Sequence, residues 1–340
     1  MSLHTMTMLF FDVLNQPHTL MPLILLVIVL GTNIYTGPLT LFKSHKWYPL
    51  NILESLIVWC DEKLNRENRS PSDRLIRGGL TSIIIFLFSG LFGYLVTCLS
   101  QALPLAWIFE IILLLIIVDQ NIMFKNIKKI YKSLKNNDTT SARQIIGDIT
   151  PENQIKMDSF SIARTSIEVL ATSLVIRLFA PTFWYVLFGA AGIVSYHAVT
   201  MLNTRINHNN MLYKDFGLIT KYLNITLLIL PCLLTGHLIF IASLFVPKTM
   251  PVGSYISMIK YVNKYYSFNL GFIISAVAGA LGLALSGPKT YGKTTRNKPW
   301  IGHGTAMATH HDIRRSLHLY TTVCLINVLI IASIILIKQI

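Results

Sequence analysis

GGLTSIIIFLFSGLFGYLVTCLSQALP, residues 78–104, decides the fold class. The stretch carries no charged residue and is long enough to cross a hydrocarbon core of about 30 Å. No water reaches the backbone in such a core, so each amide must be satisfied within its own segment, and the run reads as a helix. Similar runs lie on both sides. LMPLILLVIVLGTNIYTGPLTLF (20–42) precedes it, and LPLAWIFEIILLLIIVDQNIMF (103–124) follows directly. KYLNITLLILPCLLTGHLIFIASLFVP (221–247), NLGFIISAVAGALGLALSG (269–287) and LYTTVCLINVLIIASIILI (319–337) bring the expected complete crossings to six. The composition agrees: 53% hydrophobic against 13% charged residues is too little charge to cover a soluble fold of 340 residues. The mean hydropathy of +0.55 points the same way. The chain reads as all-α, a polytopic integral membrane helical bundle forming a single membrane domain over residues 1–340.

The first run has no Lys or Arg before it and belongs to a continuing series, so it reads as a retained helix and not a secretion signal. Cys60, Cys98, Cys232 and Cys324 are scattered without metal-ligand spacing and read as buried thiols.

The formal net charge of +14 is uneven and orients the bundle. Residues 43–77, 125–165 and 287–317 hold most of the Lys and Arg and are expected as cytoplasmic loops and surface helices. The link between the second and third runs is short and uncharged, as an outside hairpin should be. This predicts a multi-pass protein of a bacterial or archaeal cytoplasmic (inner) membrane. PTFWYVLFGAAGIVSYHAVTML (181–202) is also long enough to cross, but crossing alone would put the 287–317 loop outside. Pairing it with SIEVLATSLVIRLFA (166–180), as an embedded or re-entrant central helix pair broken at Pro181, keeps that loop inside. NIKKIYKSLK (126–135) places Ile127, Ile130, Tyr131 and Leu134 on one face and lysines on the other. This pattern predicts a cytoplasmic amphipathic helix on an anionic leaflet, and NILESLIVWCDEKLN (51–65) a second. The lipid bilayer is thus an expected partner. No base-stacking module accompanies the charge, so nucleic acid is not.

Soluble-enzyme signatures are absent: there is no phosphate loop, no G-x-S-x-G elbow and no H-E-x-x-H. GPKTYGK (287–293) offers amides, a tyrosine and two lysines that suit a phosphate, or else an ordinary basic loop. His303, His310, His311 and His318 crowd one region, but Asp312 is the one carboxylate near them, and no metal ligands are assigned. Glu110 and Asp119 lie in an apolar run. Arg164 and Glu168, four apart, are expected to pair, either as a structural ion pair or as part of a charged cytoplasmic pocket.

The order of features from about residue 45 onward resembles the CobD/CbiB family, membrane-bound adenosylcobinamide-phosphate synthases of cobalamin biosynthesis. YPLNILESLIVWCDEKLNRENRSPSDRLIRGGL is similar to the family's early segment, and SARQIIGDI to its Ala-Arg stretch. The central segment matches through Ala163, Arg164, Ile167, Glu168, Pro181, Gly189 and Tyr196. SFNLGFIISAVAGALGLALSGPKTYG, followed by PWIGHG and HDI, matches best. The resemblance implies that an amino alcohol phosphate is joined as an amide to a corrinoid carboxylate, with a divalent metal assisting. Glu168 and Asp312 are then the acidic catalytic candidates. Arg143, Arg164, Tyr291 and Lys293 are candidates for the substrate's phosphate, and Asn269 is a further substrate-binding candidate. The chain also departs from the family. Glu152, Asn153 and Gln154 stand where the family has Arg-Asp-Thr, and Asn224, Ile225 and Leu228 replace an Asp-Asp pair and a following Asn. Such losses imply an alternative: a catalytically degenerate paralogue that binds a membrane ligand or partner, as the related AmpE-like signalling proteins are thought to.

Overall fold

The computed structural model describes residues 20–35, 49–66, 70–103, 105–153, 155, 157–206, 211–291 and 294–339. The helices are α1 (Leu20–Tyr35), α2 (Pro49–Leu64), α3 (Pro71–Ala102), α4 (Trp107–Ile117), α5 (Asn121–Lys135), α6 (Thr139–Ile149), α7 (Ser159–Ser173), α8 (Ala180–Arg205), α9 (Met211–Phe216), α10 (Leu218–Ser243), α11 (Pro251–Tyr261), α12 (Phe268–Leu281) and α13 (His310–Gln339). Between α12 and α13 lie four short strands, β1 (Leu285–Ser286), β2 (Lys289–Tyr291), β3 (Thr294–Arg296) and β4 (Trp300–Ile301). Among the described residues, five helical stretches are long and apolar enough to cross a membrane: Pro71–Ala102, Trp107–Lys135, Ser159–Arg205, Tyr213–Ser243 and His310–Ile337. The protein is an all-α polytopic membrane bundle.

Two compact units form. The first draws on residues 1–119, 180–228 and 333–340, and the second on 120–179 and 229–332. In the first unit α3 turns its large apolar side chains outward and its small ones inward. Leu87 and Phe88 are 62% and 65% exposed, whereas Gly78, Gly79, Ser82, Ser89 and Gly93 are buried. That inversion is how a lipid-facing helix packs, since small residues let backbones approach and hydrocarbon solvates the rest. Ser82 and Thr220 share a hydrogen bond of 2.6 Å. Glu110 is buried in α4, and its carboxyl oxygens accept from Tyr185 at 2.7 Å and Ser100 at 2.8 Å. In α8 the helical dihedrals break at Gly189 (φ 59°, ψ −148°), a conformation that glycine adopts without a Cβ penalty.

The second unit packs α5, α6 and α7 through Ile127, Ile130, Ile146 and Ile162, all fully buried. Beside α7 lies a hairpin of α11 and α12. A Cβ on Gly279 would fall 2.1 Å from the Gly253 carbonyl oxygen, so the two helices touch backbone to backbone. Ser254 secures the contact with a hydrogen bond to the Ala276 carbonyl at 2.9 Å.

Several expectations are corrected. The run at 269–287 does not form one helix of crossing length, and the helix in the first run, α1, is also short at 16 residues. The helix of the 269–287 run, α12, has 14 residues, about 21 Å at about 1.5 Å per residue, and stops where Gly282 turns left-handed and Leu283 donates back to Ala278 at 2.9 Å. The run at 103–124 keeps a stretch long and apolar enough to cross, Trp107–Lys135, but with a non-helical break at residues 118–120 between α4 and α5. The amphipathic helix forms, but its apolar face is spent on α6 and α7 and does not lie on lipid; Lys125, Lys128, Lys129 and Lys132 face out on the other side. The central segment is interrupted by a π-helical turn at Leu174–Phe179, just before Pro181, and again at Gly189.

Candidate functional site

The candidate site lies within the second unit, where one face of α7 meets the loop carrying the strands. Asp158 starts α7 as its N-cap, accepting from the Ser161 amide at 2.8 Å. Burial alone would raise its carboxyl, but the hydrogen bonds from Ser161 and the charge of Arg164 together outweigh that and hold it below the ordinary aspartate value. Ser161, Arg164, Thr165 and Glu168 then fall on one stripe at spacings of three and four.

At the centre is a buried triad. The Lys289 ammonium lies 2.6 Å from Glu152 Oε1 and 2.7 Å from Glu168 Oε2, with all three side chains at most a tenth exposed. The remaining oxygens are also engaged. Glu168 Oε1 accepts from the Ser286 amide at 2.7 Å, and Glu152 Oε2 from the Thr165 hydroxyl at 3.3 Å. The Asn153 amide donates to the Thr290 carbonyl at 2.8 Å and ties the segment carrying Glu152 to β2. Burial alone would make Lys289 easier to deprotonate, but the charges of Glu168 and Glu152 outweigh that and hold it above the ordinary lysine value. Glu168 is therefore held by Lys289, not by Arg164, and the expected Arg164–Glu168 pair is not made.

Around the triad the loop forms a wall of cations and aromatic rings. Arg164 stacks 5.3 Å from the Trp300 ring centroid, donates to Ser161 Oγ at 2.9 Å and hydrogen-bonds the Ala306 carbonyl. Trp300 pairs with Ser286 across the antiparallel β1–β4 bridge, which joins this contact to the triad. Lys298 sits between two tyrosines, 4.5 Å from the Tyr266 ring and 5.4 Å from that of Tyr291, and donates to the Tyr291 hydroxyl at 3.1 Å. Arg296 stacks on Tyr291 at 5.7 Å.

The predicted residues thus divide. Glu168, Arg164 and Tyr291 come together on this face. Lys293 lies outside the described residues. Arg143 donates to the Met157 carbonyl at 2.9 Å, bracing the ends of the segment that carries Glu152. Asn269 is buried in the first turn of α12. Asp312 caps α13: its carboxylate accepts from the Thr309 amide at 2.8 Å and hydroxyl at 3.0 Å, and pairs with Arg315. Sequence reasoning missed Glu152, Lys289, Lys298 and Trp300 as site residues. The signal available was the lysine inside GPKTY and the tryptophan after the proline of PWIGHG.

A divalent ion needs oxygen ligands from several directions. Among the described residues no group of three or more His, Cys, Asp or Glu side chains converges in a way that could hold one. The two carboxylates that do converge are bridged by an ammonium. This donor set does not fit a resident divalent ion.

The family model described as CobD/Cbib protein matches residues 38–320. The chain belongs to the CobD/CbiB family. It is similar to a protein of Brucella melitensis named cobalamin biosynthesis protein CobD, with 28% identity over 316 residues, 92% of this chain and 96% of the relative. Proteins of the same name from Rhodobacter capsulatus and Listeria monocytogenes are 27% and 24% identical, over 87% and 91% of this chain and 92% and 98% of theirs. No solved structure matches the chain. The family match takes in α2 to α12, the strands and the first part of α13, so it includes the whole α7–loop face.

Proposed function

We propose that this protein works in cobalamin biosynthesis, in the cytoplasmic membrane with its basic loops inside. There it joins a phosphorylated amino alcohol to a corrinoid carboxylate through an amide bond. The observation that carries the reading is the cation–aromatic wall, with Arg164, Lys298 and Arg296 set against Trp300, Tyr266 and Tyr291. Guanidinium and ammonium groups recognise phosphate oxygens, and aromatic faces suit a broad planar macrocycle beside them. In this reading the wall binds and orients while the Glu152–Lys289–Glu168 triad holds the loop in place. A carboxylate does not condense with an amine unaided. A nucleoside triphosphate would first transfer a phosphoryl group to it, and the amine would then displace phosphate.

A second reading is favoured by one specific observation: Glu168 is neutralised by Lys289 and Asp312 by Arg315. With both acidic candidates engaged, the face is suited to holding a ligand without transforming it, as a degenerate paralogue would. Complementation separates the two. The synthase reading expects the gene to restore cobalamin-dependent growth to a strain lacking its own synthase, and Arg164→Ala to abolish that rescue. Failure of a well-expressed wild-type protein to rescue, with corrinoid binding retained, supports the binding-only reading.

A further inference from the structure

We infer that Lys289 is a built-in cation occupying the position between Glu152 and Glu168 that a divalent metal ion would otherwise take. Two carboxylates buried against each other repel and need a positive charge between them. A divalent ion supplies that charge at about 2.0–2.6 Å from its oxygen ligands. Here the Lys289 ammonium supplies it from 2.6 and 2.7 Å, at hydrogen-bond distance. The remaining oxygens already have protein donors, Ser286 on Glu168 and Thr165 on Glu152, so the triad is closed without any further ligand.

The location matters as much as the charge. Lys289 opens β2, two residues after Gly287, whose backbone is left-handed (φ 77°) beneath the Trp300 ring. The lysine enters the cluster from the loop while both carboxylates come from the α7 side. It therefore fastens the loop to α7 as a bridging metal would, but cannot be removed by a chelator. Lys289 is a positioning residue: it touches the carboxylates and aims the wall, and the wall touches the ligand. Because the inference concerns only this donor set, it stands or falls separately from the reaction proposed above.

Mn2+ serves as the probe, read by loss of its free-ion electron paramagnetic resonance signal on purified full-length protein in lipid nanodiscs. Wild-type protein is expected to bind no more Mn2+ than its Glu168→Gln variant. Lys289→Ala opens the carboxylate pair and should take up about one additional ion per chain, with tenfold or greater loss of affinity when Glu168→Gln is added. A folded Lys289→Ala protein with no added Mn2+ binding overturns the inference. Should Lys289→Ala fail to fold, the wild-type melting midpoint in Mn2+ and in chelator decides. An unchanged midpoint upholds the built-in cation. A midpoint raised by Mn2+, with the rise lost in Glu152→Gln, means that a metal displaces the lysine and overturns it.

Discussion

Removing the Lys289 side chain leaves Glu152 and Glu168 buried side by side with no cation between them. Breaking a buried pair in this way costs about 3–5 kcal/mol. Lys289→Ala is therefore expected to lower the unfolding midpoint of the nanodisc-held protein more than Lys289→Ala/Glu168→Gln does, since the second change removes one of the stranded charges. The pH dependence follows from the direction of the shift. A lysine held above its ordinary value contributes stability that is complete below that value and is lost as pH rises through the higher folded one. Lys289 should thus add no slope to a stability–pH curve across neutrality, and its contribution should be lost on the alkaline side. Asp158 behaves oppositely. Its carboxyl is depressed, so its cap is intact above the ordinary aspartate value and is lost as pH falls through the lower folded one. Asp158→Ala should cost about 1 kcal/mol at neutral pH. Glu168 and Arg164 were legible in the sequence as a spaced pair, yet neither partner was. Helical spacing shows which residues share a face, whereas Lys289 arrives from a loop far along the chain, and no local pattern tells an inward lysine from a solvated one. The capping role of Asp312 was not legible for a related reason: a carboxylate three residues into a helix looks the same whether it caps the helix or meets a substrate.

At the scale of elements, the α11–α12 hairpin depends on Gly279, where a Cβ would meet the Gly253 carbonyl oxygen at 2.1 Å. Gly279→Val must force the two helices apart. Overpacking of this kind costs about 1–3 kcal/mol, and a lowered midpoint with wild-type membrane insertion is the expected result. The hairpin itself was not legible. Apolar composition marked 269–287 as a crossing, but hydropathy does not register the Gly282 turn that stops α12 after 14 residues. The strands escaped notice because two or three residues are too few to show an alternating period. Where the pattern was long it was read correctly: α2 forms close to the predicted 51–65, and α5 includes all of 126–135. The partner of the apolar face of α5 was mistaken, since periodicity shows that a face will be buried and not whether lipid or protein buries it.

Across the whole molecule, the bundle was the most legible feature, because a run with no charge leaves the backbone no alternative to a helix in lipid. The proposed orientation follows from basic residues concentrated in three stretches of the sequence, 43–77, 125–165 and 287–317. In otherwise cysteine-free protein, Lys128→Cys should react with an impermeant maleimide only in inverted vesicles, and Leu103→Cys only in intact cells; the reverse pattern would refute the orientation. The resemblance led to the expectation that family carboxylates are missing, but the weight of each departure was not legible. Glu152 counted as a departure in the sequence, and in the fold it completes the triad beside Glu168. Most directly, purified protein in nanodiscs is to be given a corrinoid carboxylate, an amino alcohol phosphate and a nucleoside triphosphate, with the product read by mass spectrometry. The account predicts the mass of the amide-linked corrinoid with wild-type protein and its loss with Arg164→Ala. Substrates recovered unchanged from a folded wild-type protein that binds them would contradict it.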